Sequence, residues 1–104
     1  MTHNAITDVT RAVTIQPGAV VSKVLHRDSG LEMTVFGFDT GEGLTEHTAS
    51  RAALVQVLSG RLRFTVDGEE LDAGPGAWIS MTPGTPHALV SEEPTVMLLT
   101  LLPP

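Results

Sequence analysis

Cysteine and tyrosine are both absent from this chain of 104 residues. Without thiols there is no disulfide, no thiolate nucleophile and no cysteine-ligated zinc. The same absence fits a reducing compartment, and a cytoplasmic location is the expectation. Positive charge is scarce. Lys and Arg total 6 against 12 Asp and Glu, a formal net charge of −6. A nucleic-acid binder must neutralise phosphates, and Lys23, Arg27, Arg51, Arg61 and Arg63 are too few and too scattered to do so. An anionic membrane surface is disfavoured on the same ground. No apolar run approaches the roughly 20 residues that a spanning helix needs. The opening stretch MTHNAITDVT has no basic start followed by an apolar run, so it reads as a leader in solvent and not as a secretion signal. Residues 1–10 are therefore expected as a partly disordered leader, and 11–104 as a single domain.

What the chain does have is punctuation. Ten glycines and seven prolines recur at short intervals, leaving almost no window for a helix of more than a turn or two. Between them lie short runs of Val, Leu, Ile, Thr and Phe, the pattern of an all-β sandwich or barrel. Strands are predicted over 11–16, 19–27, 31–39, 44–48, 51–58, 61–67, 69–73, 77–81, 87–91 and 95–102. The clearest hairpin is RLRFTVDGEELDA: Leu62, Phe64 and Val66 alternate with Arg61, Arg63 and Thr65, and Asp67-Gly68 supplies the tight turn. Two runs, 51–58 and 95–102, are apolar on both faces. Either the N-terminal segment roofs them or they meet a second copy, and a homodimer is the favoured expectation.

Two histidines stand forty residues apart, in LTEHTASRAALVQVLSG and MTPGTPHALV. The stretch 41–91 that contains them resembles the cupin family. Gly41 or Gly43 opens a first motif, His47 takes its first histidine place and Gly60 closes it. Gly76, Gly84 and His87 match a second motif, in which Pro83 is shifted by one place and Ser91 replaces the usual Asn. The resemblance implies a double-stranded β-helix, or jelly-roll barrel, enclosing one pocket. It also implies a divalent transition metal (Zn, Ni, Fe, Mn or Cu) on three histidines and one glutamate. Here only His47 and His87 remain, because Ala49 and Ala53 occupy the other two places. A metal-free pocket is the alternative.

Alternation along a strand decides which neighbours can help. His47, Ala49 and Ala53 share parity, whereas Glu46 and Gln56 point the other way unless a bulge re-aims them. Gln56 is the candidate third metal ligand on that condition. Ser91 shares the face of His87 and Leu89. Arg51 shares parity with His47 and is a candidate for gripping an anion at the pocket mouth. Trp78 is expected with Phe36, Phe38 and Phe64 in the core or pocket wall. The acids Asp67, Glu69, Glu70 and Asp72 read as a solvated turn. Serine hydrolysis and phosphate cradling lack their motifs. The expectation is a small-molecule-binding cupin built around His47 and His87, with Arg51 and Trp78 as further contacts. The alternatives are a metal-dependent oxygenase or isomerase and a non-catalytic dimeric accessory module.

Overall fold

A computed structural model describes residues 2–104; Met1, the first residue of the expected leader, lies outside the described residues. Seven strands follow a short 3-10 turn at Val9–Arg11: β1 (Val20–Asp28), β2 (Leu31–Phe38), β3 (Gly43–His47), β4 (Ala53–Val66), β5 (Glu69–Ala73), β6 (Trp78–Met81) and β7 (His87–Leu101). They form one antiparallel sheet in the order β1-β2-β7-β4-β5, with β3 on β7 and β6 on β4. No helix among the described residues is long and apolar enough to cross a membrane.

The predicted hairpin forms with Val66 opposite Glu69. Asp67 and Gly68 both have positive φ, 48° and 79°, as a two-residue turn matched to the sheet's twist requires. Elsewhere glycine and proline mark bends within strands and not chain reversals. The predicted strands 51–58 and 61–67 are one strand of 14 residues, and 87–91 and 95–102 are one strand of 15. Ser59-Gly60 and Pro94 lie across from each other and make a shared bend instead of two chain reversals. The β4–β7 register shifts at Val57/Ser59, Ser59/Arg61 and Arg61/Leu62. Gly60 takes φ +84°, and an added Cβ would collide with the Pro94 carbonyl and with Thr95. Thr95, fully buried, pins the bend: its hydroxyl accepts the Arg61 N–H at 2.9 Å and donates to the Glu93 carbonyl at 2.8 Å.

The bend also flips parity. Ala53, Val55 and Val57 face inward before it, and Leu62 and Phe64 face inward after it. Together with Phe38, Ala73, Met81, Leu89 and Met97 they fill the barrel. Phe38, Leu62 and Phe64 are 0% exposed. Each contributes about 1.5–3 kcal/mol by leaving water. A second, smaller core lies on the outer sheet face, where Val35, Val96 and Leu98 are covered by Val9, Ala12, Val13 and Ile15. The predicted strand 11–16 is therefore a roof held by side chains, outside the sheet, and it covers part of the apolar excess that suggested a dimer.

The exposed face of β4 and β5 carries ion pairs, Arg61–Asp72 at 2.8 Å and Arg63–Glu70 at 3.1 Å. Asp72 holds the Arg61 guanidinium above its ordinary pKa, through a hydrogen bond first and charge attraction second. The acidic hairpin thus works as an open surface in contact with arginines, where Glu70, Asp72 and Glu92 line one cleft with Arg63.

Candidate functional site

The topology brings β3 and β7 together so that His47 sits directly opposite His87. Their ring centroids are 4.1 Å apart and the planes tilt by 59°. Each ring is tethered in the same way. His47 Nδ1 lies 2.7 Å from the Thr45 carbonyl, and His87 Nδ1 lies 2.9 Å from the Thr85 carbonyl. A carbonyl oxygen only accepts, so each Nδ1 must carry the proton. In a neutral imidazole so tethered, Nε2 keeps its lone pair. The sequence carries this device as a repeated Thr-x-His, Thr45-Glu46-His47 and Thr85-Pro86-His87. The repeat was visible, but its use of the backbone two residues back was not.

Depth separates the two rings. His87 is 8% exposed, and Phe64 stacks with it at 6.2 Å with planes 5° apart. His47 is exposed at the rim. Because Phe64 and the rest of the inner core fill the barrel, whatever meets the histidines meets them at its mouth. Surface clefts of about 270–460 Å³ lie elsewhere: against the N-terminal segment, over the Arg63–Glu70 pair, and beside the β1–β2 turn.

The other candidates stand apart from this pair. Arg51 is spent on the backbone: it donates to the carbonyls of Leu102, at 2.8 Å, and of Gly30, tying the C-terminal end of β7 to the β1–β2 turn. Its charge therefore does not face an anion beside the histidines. Trp78 is 60% exposed on the outer face, so it is neither core nor pocket wall. Trp78 pairs with Gln56, which faces outward as its parity requires. The bulge that would turn Gln56 inward falls after it, between Val57 and Leu62. Ser91 is 2% exposed, but its hydroxyl donates to the carbonyls of Asp39 and Glu42 and closes the loop before β3.

For a metal, the pair offers two imidazole donors. Beyond that the fit fails. No group of three His, Cys, Asp or Glu side chains able to hold a metal exists among the described residues. Ala53 is buried in the barrel with nothing to donate. Zinc sites use three or four protein donors, and non-haem iron sites three. The residues present do not make a tight resident metal site.

An antiparallel β-sheet rolled around one core, with two imidazoles paired at one end, belongs to the jelly-roll class. More closely, the chain belongs to the cupin family: residues 34–101 match the family described as Cupin domain. Among solved structures, the conserved protein SPY1581 of Streptococcus pyogenes, described as of unknown function, is 34% identical, with a TM-score of 0.88, over 100% of this chain and 91% of that one. A cupin 2 conserved barrel domain protein from Leptotrichia buccalis is 36% identical, with a TM-score of 0.83. That match covers 89% of this chain but 45% of the other, so this chain spans less than half of its length. KdgF from Halomonas, at 23% identity, a TM-score of 0.77 and coverage of 88% and 86%, shares the fold. No curated protein matches the chain.

Proposed function

We propose that this cupin binds a small molecule at the barrel mouth, with His47 and His87 as its polar contacts, and without a permanently held metal. The observation that carries the reading is the tethering of both Nδ1 atoms to carbonyls two residues back, in two rings whose centroids lie 4.1 Å apart, so that each neutral ring keeps its Nε2 as an acceptor. Such a pair suits a ligand that brings hydrogen-bond donors, and suits an anion poorly because Arg51 is already committed to Leu102 and Gly30. The protein acts in the cytoplasm, which its lack of cysteine fits, and it acts as a homodimer.

The test uses tag-free protein. Elemental analysis is expected to find substoichiometric metal after dialysis against a chelator. Long-range proton–nitrogen NMR is expected to give His47 and His87 as Nδ1–H tautomers. Their Nε2 resonances should move when small polyols, amines and carboxylates are titrated in turn, and a carboxylate should move them least. A stoichiometric metal lost on His87→Ala would replace this reading with the metal-dependent one. Nε2–H tautomers at both rings would end it.

A further inference from the structure

We propose that Glu69 is the cation-binding end of the site at the barrel mouth, so that the ligand is a small primary amine carrying a hydrogen-bond donor at its other end. The inference rests on the histidine-lined site of the functional reading above and adds its substrate class.

Sheet register puts Glu69 in line with the histidines. Across β5, β4, β7 and β3, Glu69 pairs with Val66, Val66 with His87, and His87 with His47. Residues directly opposite one another share a face, so these four stand in one row on the face that lines the barrel. The rest of β5 agrees. Leu71 and Ala73 alternate with the acids and pack into the core. Glu70 and Asp72 fall on the outer face, where Arg63 and Arg61 hold them. Glu69 is exposed and joins no ion pair among the described residues. The hairpin thus pairs two acids with arginines outside and keeps a third, without a partner, on the mouth side.

The row is polar at both ends and apolar in the middle. A carboxylate only accepts, so Glu69 suits an ammonium group. Val66, partly buried against the core, lies between. His87 and His47, tethered through Nδ1, accept a hydroxyl or amine proton at Nε2. From β5 to β7 is two strand spacings, about 10 Å. A ligand that reaches from the carboxylate to the imidazoles therefore has an amine, a short apolar spacer over Val66, and a second donor. An anionic ligand is repelled at the Glu69 end, and the net charge of −6 favours the approach of a cation.

The probes are ω-amino alcohols from ethanolamine to aminohexanol, and the matching diols. They are titrated into tag-free, full-length protein and followed at the His47 and His87 Nε2 resonances. The longer amino alcohols are expected to bind about tenfold more tightly than their diols, through one charge-assisted hydrogen bond. Ethanolamine, too short to bridge the row, should show no such preference over its diol. Glu69→Gln should abolish the preference and leave diol affinity unchanged. Glu70→Gln removes the same charge from the outer face and should keep the preference. Both positions are exposed, so the circular dichroism of both variants should match the wild type. If amino alcohols and diols bind the wild type alike, or if the two variants behave alike, Glu69 lies outside the site, while the diols still support the histidine pair. If neither series moves the Nε2 resonances, both readings fall.

Discussion

Replacing Gly60 by alanine should be far more damaging than replacing Gly68, although both glycines sit at positive φ. Gly68 has φ +79°, and a Cβ there would meet nothing within 4 Å. Gly68→Ala therefore adds only the left-handed penalty of an L-residue, about 1–2 kcal/mol. Gly60, at φ +84°, adds the same penalty and a collision, because its Cβ would lie 2.6 Å from Thr95 Cα and closer still to the Pro94 carbonyl and the Thr95 hydroxyl. Backbone atoms cannot rotate away, so the β4–β7 bend must open. Opening it breaks the 2.9 Å bond from Arg61 N–H to the Thr95 hydroxyl, and Thr95 is 0% exposed. A buried polar group left unpaired costs about 1–3 kcal/mol. Gly60→Ala should thus lose about 2–5 kcal/mol in all, a substantial part of the roughly 5–15 kcal/mol that typically separates folded from unfolded. Urea denaturation monitored by circular dichroism reads both variants directly. The excess over Gly68→Ala is about 1–3 kcal/mol, so at about 4–8 °C per kcal/mol Gly60→Ala should melt roughly 4–24 °C lower. Equal stabilities within about 0.5 kcal/mol would show that the strands do not approach closely at the bend, and the parity flip built on it would fall.

Phe64→Ala should cost about 3–5 kcal/mol in denaturant unfolding and should broaden the His87 ring resonances, because the phenyl ring both fills the barrel and lies under the imidazole. Arg51→Met should cost about 1–3 kcal/mol by stripping the Leu102 and Gly30 carbonyls of their donor, while small-molecule binding at the histidines, followed by NMR, stays unchanged. Loss of binding without loss of stability would return Arg51 to the site. Chelator treatment of tag-free protein should leave the melting temperature unchanged, because no set of three metal-ligating side chains stands among the described residues. A structural zinc site contributes about 10–16 kcal/mol, so its removal could not pass unnoticed.

The strand alternation and the Asp67-Gly68 turn were readable because they are local: the hairpin's faces and its turn depend on residues a few places apart. The pairing of His47 with His87 was readable only through motif spacing, since the contact spans forty residues. Three outcomes share one physical origin. Ser59-Gly60 and Pro94 look like turns one at a time, and only their opposition across β4 and β7 makes them a bend. Gln56 needed a bulge before it to enter the barrel, and the bulge comes after it. Arg51 has the parity of His47 if the strand runs unbroken, but β3 ends at His47 and β4 begins at Ala53. The loop between them releases Arg51 to reach the last carbonyls of the chain. Composition holds no record of such backbone partners. For the same reason, the carbonyls of Thr45 and Thr85 could not be recognised as the groups that orient the site.

Those two carbonyls give His87 two separable duties, holding the mouth together through Nδ1 and meeting a ligand through Nε2. Asparagine and glutamine divide them. The asparagine amide reaches about as far as Nδ1 and can still donate to the Thr85 carbonyl, but has nothing where Nε2 was. Glutamine reaches about as far as Nε2 and loses the tether. His87→Asn should therefore keep most of the wild-type stability, with any loss about 1 kcal/mol, the worth of a typical hydrogen bond, and should bind neither zinc nor the small molecules that shift the Nε2 resonances. His87→Gln should be the less stable of the two, because a buried side chain has lost its partner, yet should retain measurable small-molecule binding through its amide oxygen. Denaturant unfolding and ligand titration monitored at His47 read the two duties independently. If His87→Asn binds as the wild type does, the ligand does not touch Nε2, and the histidine pair is only a strap joining β3 to β7.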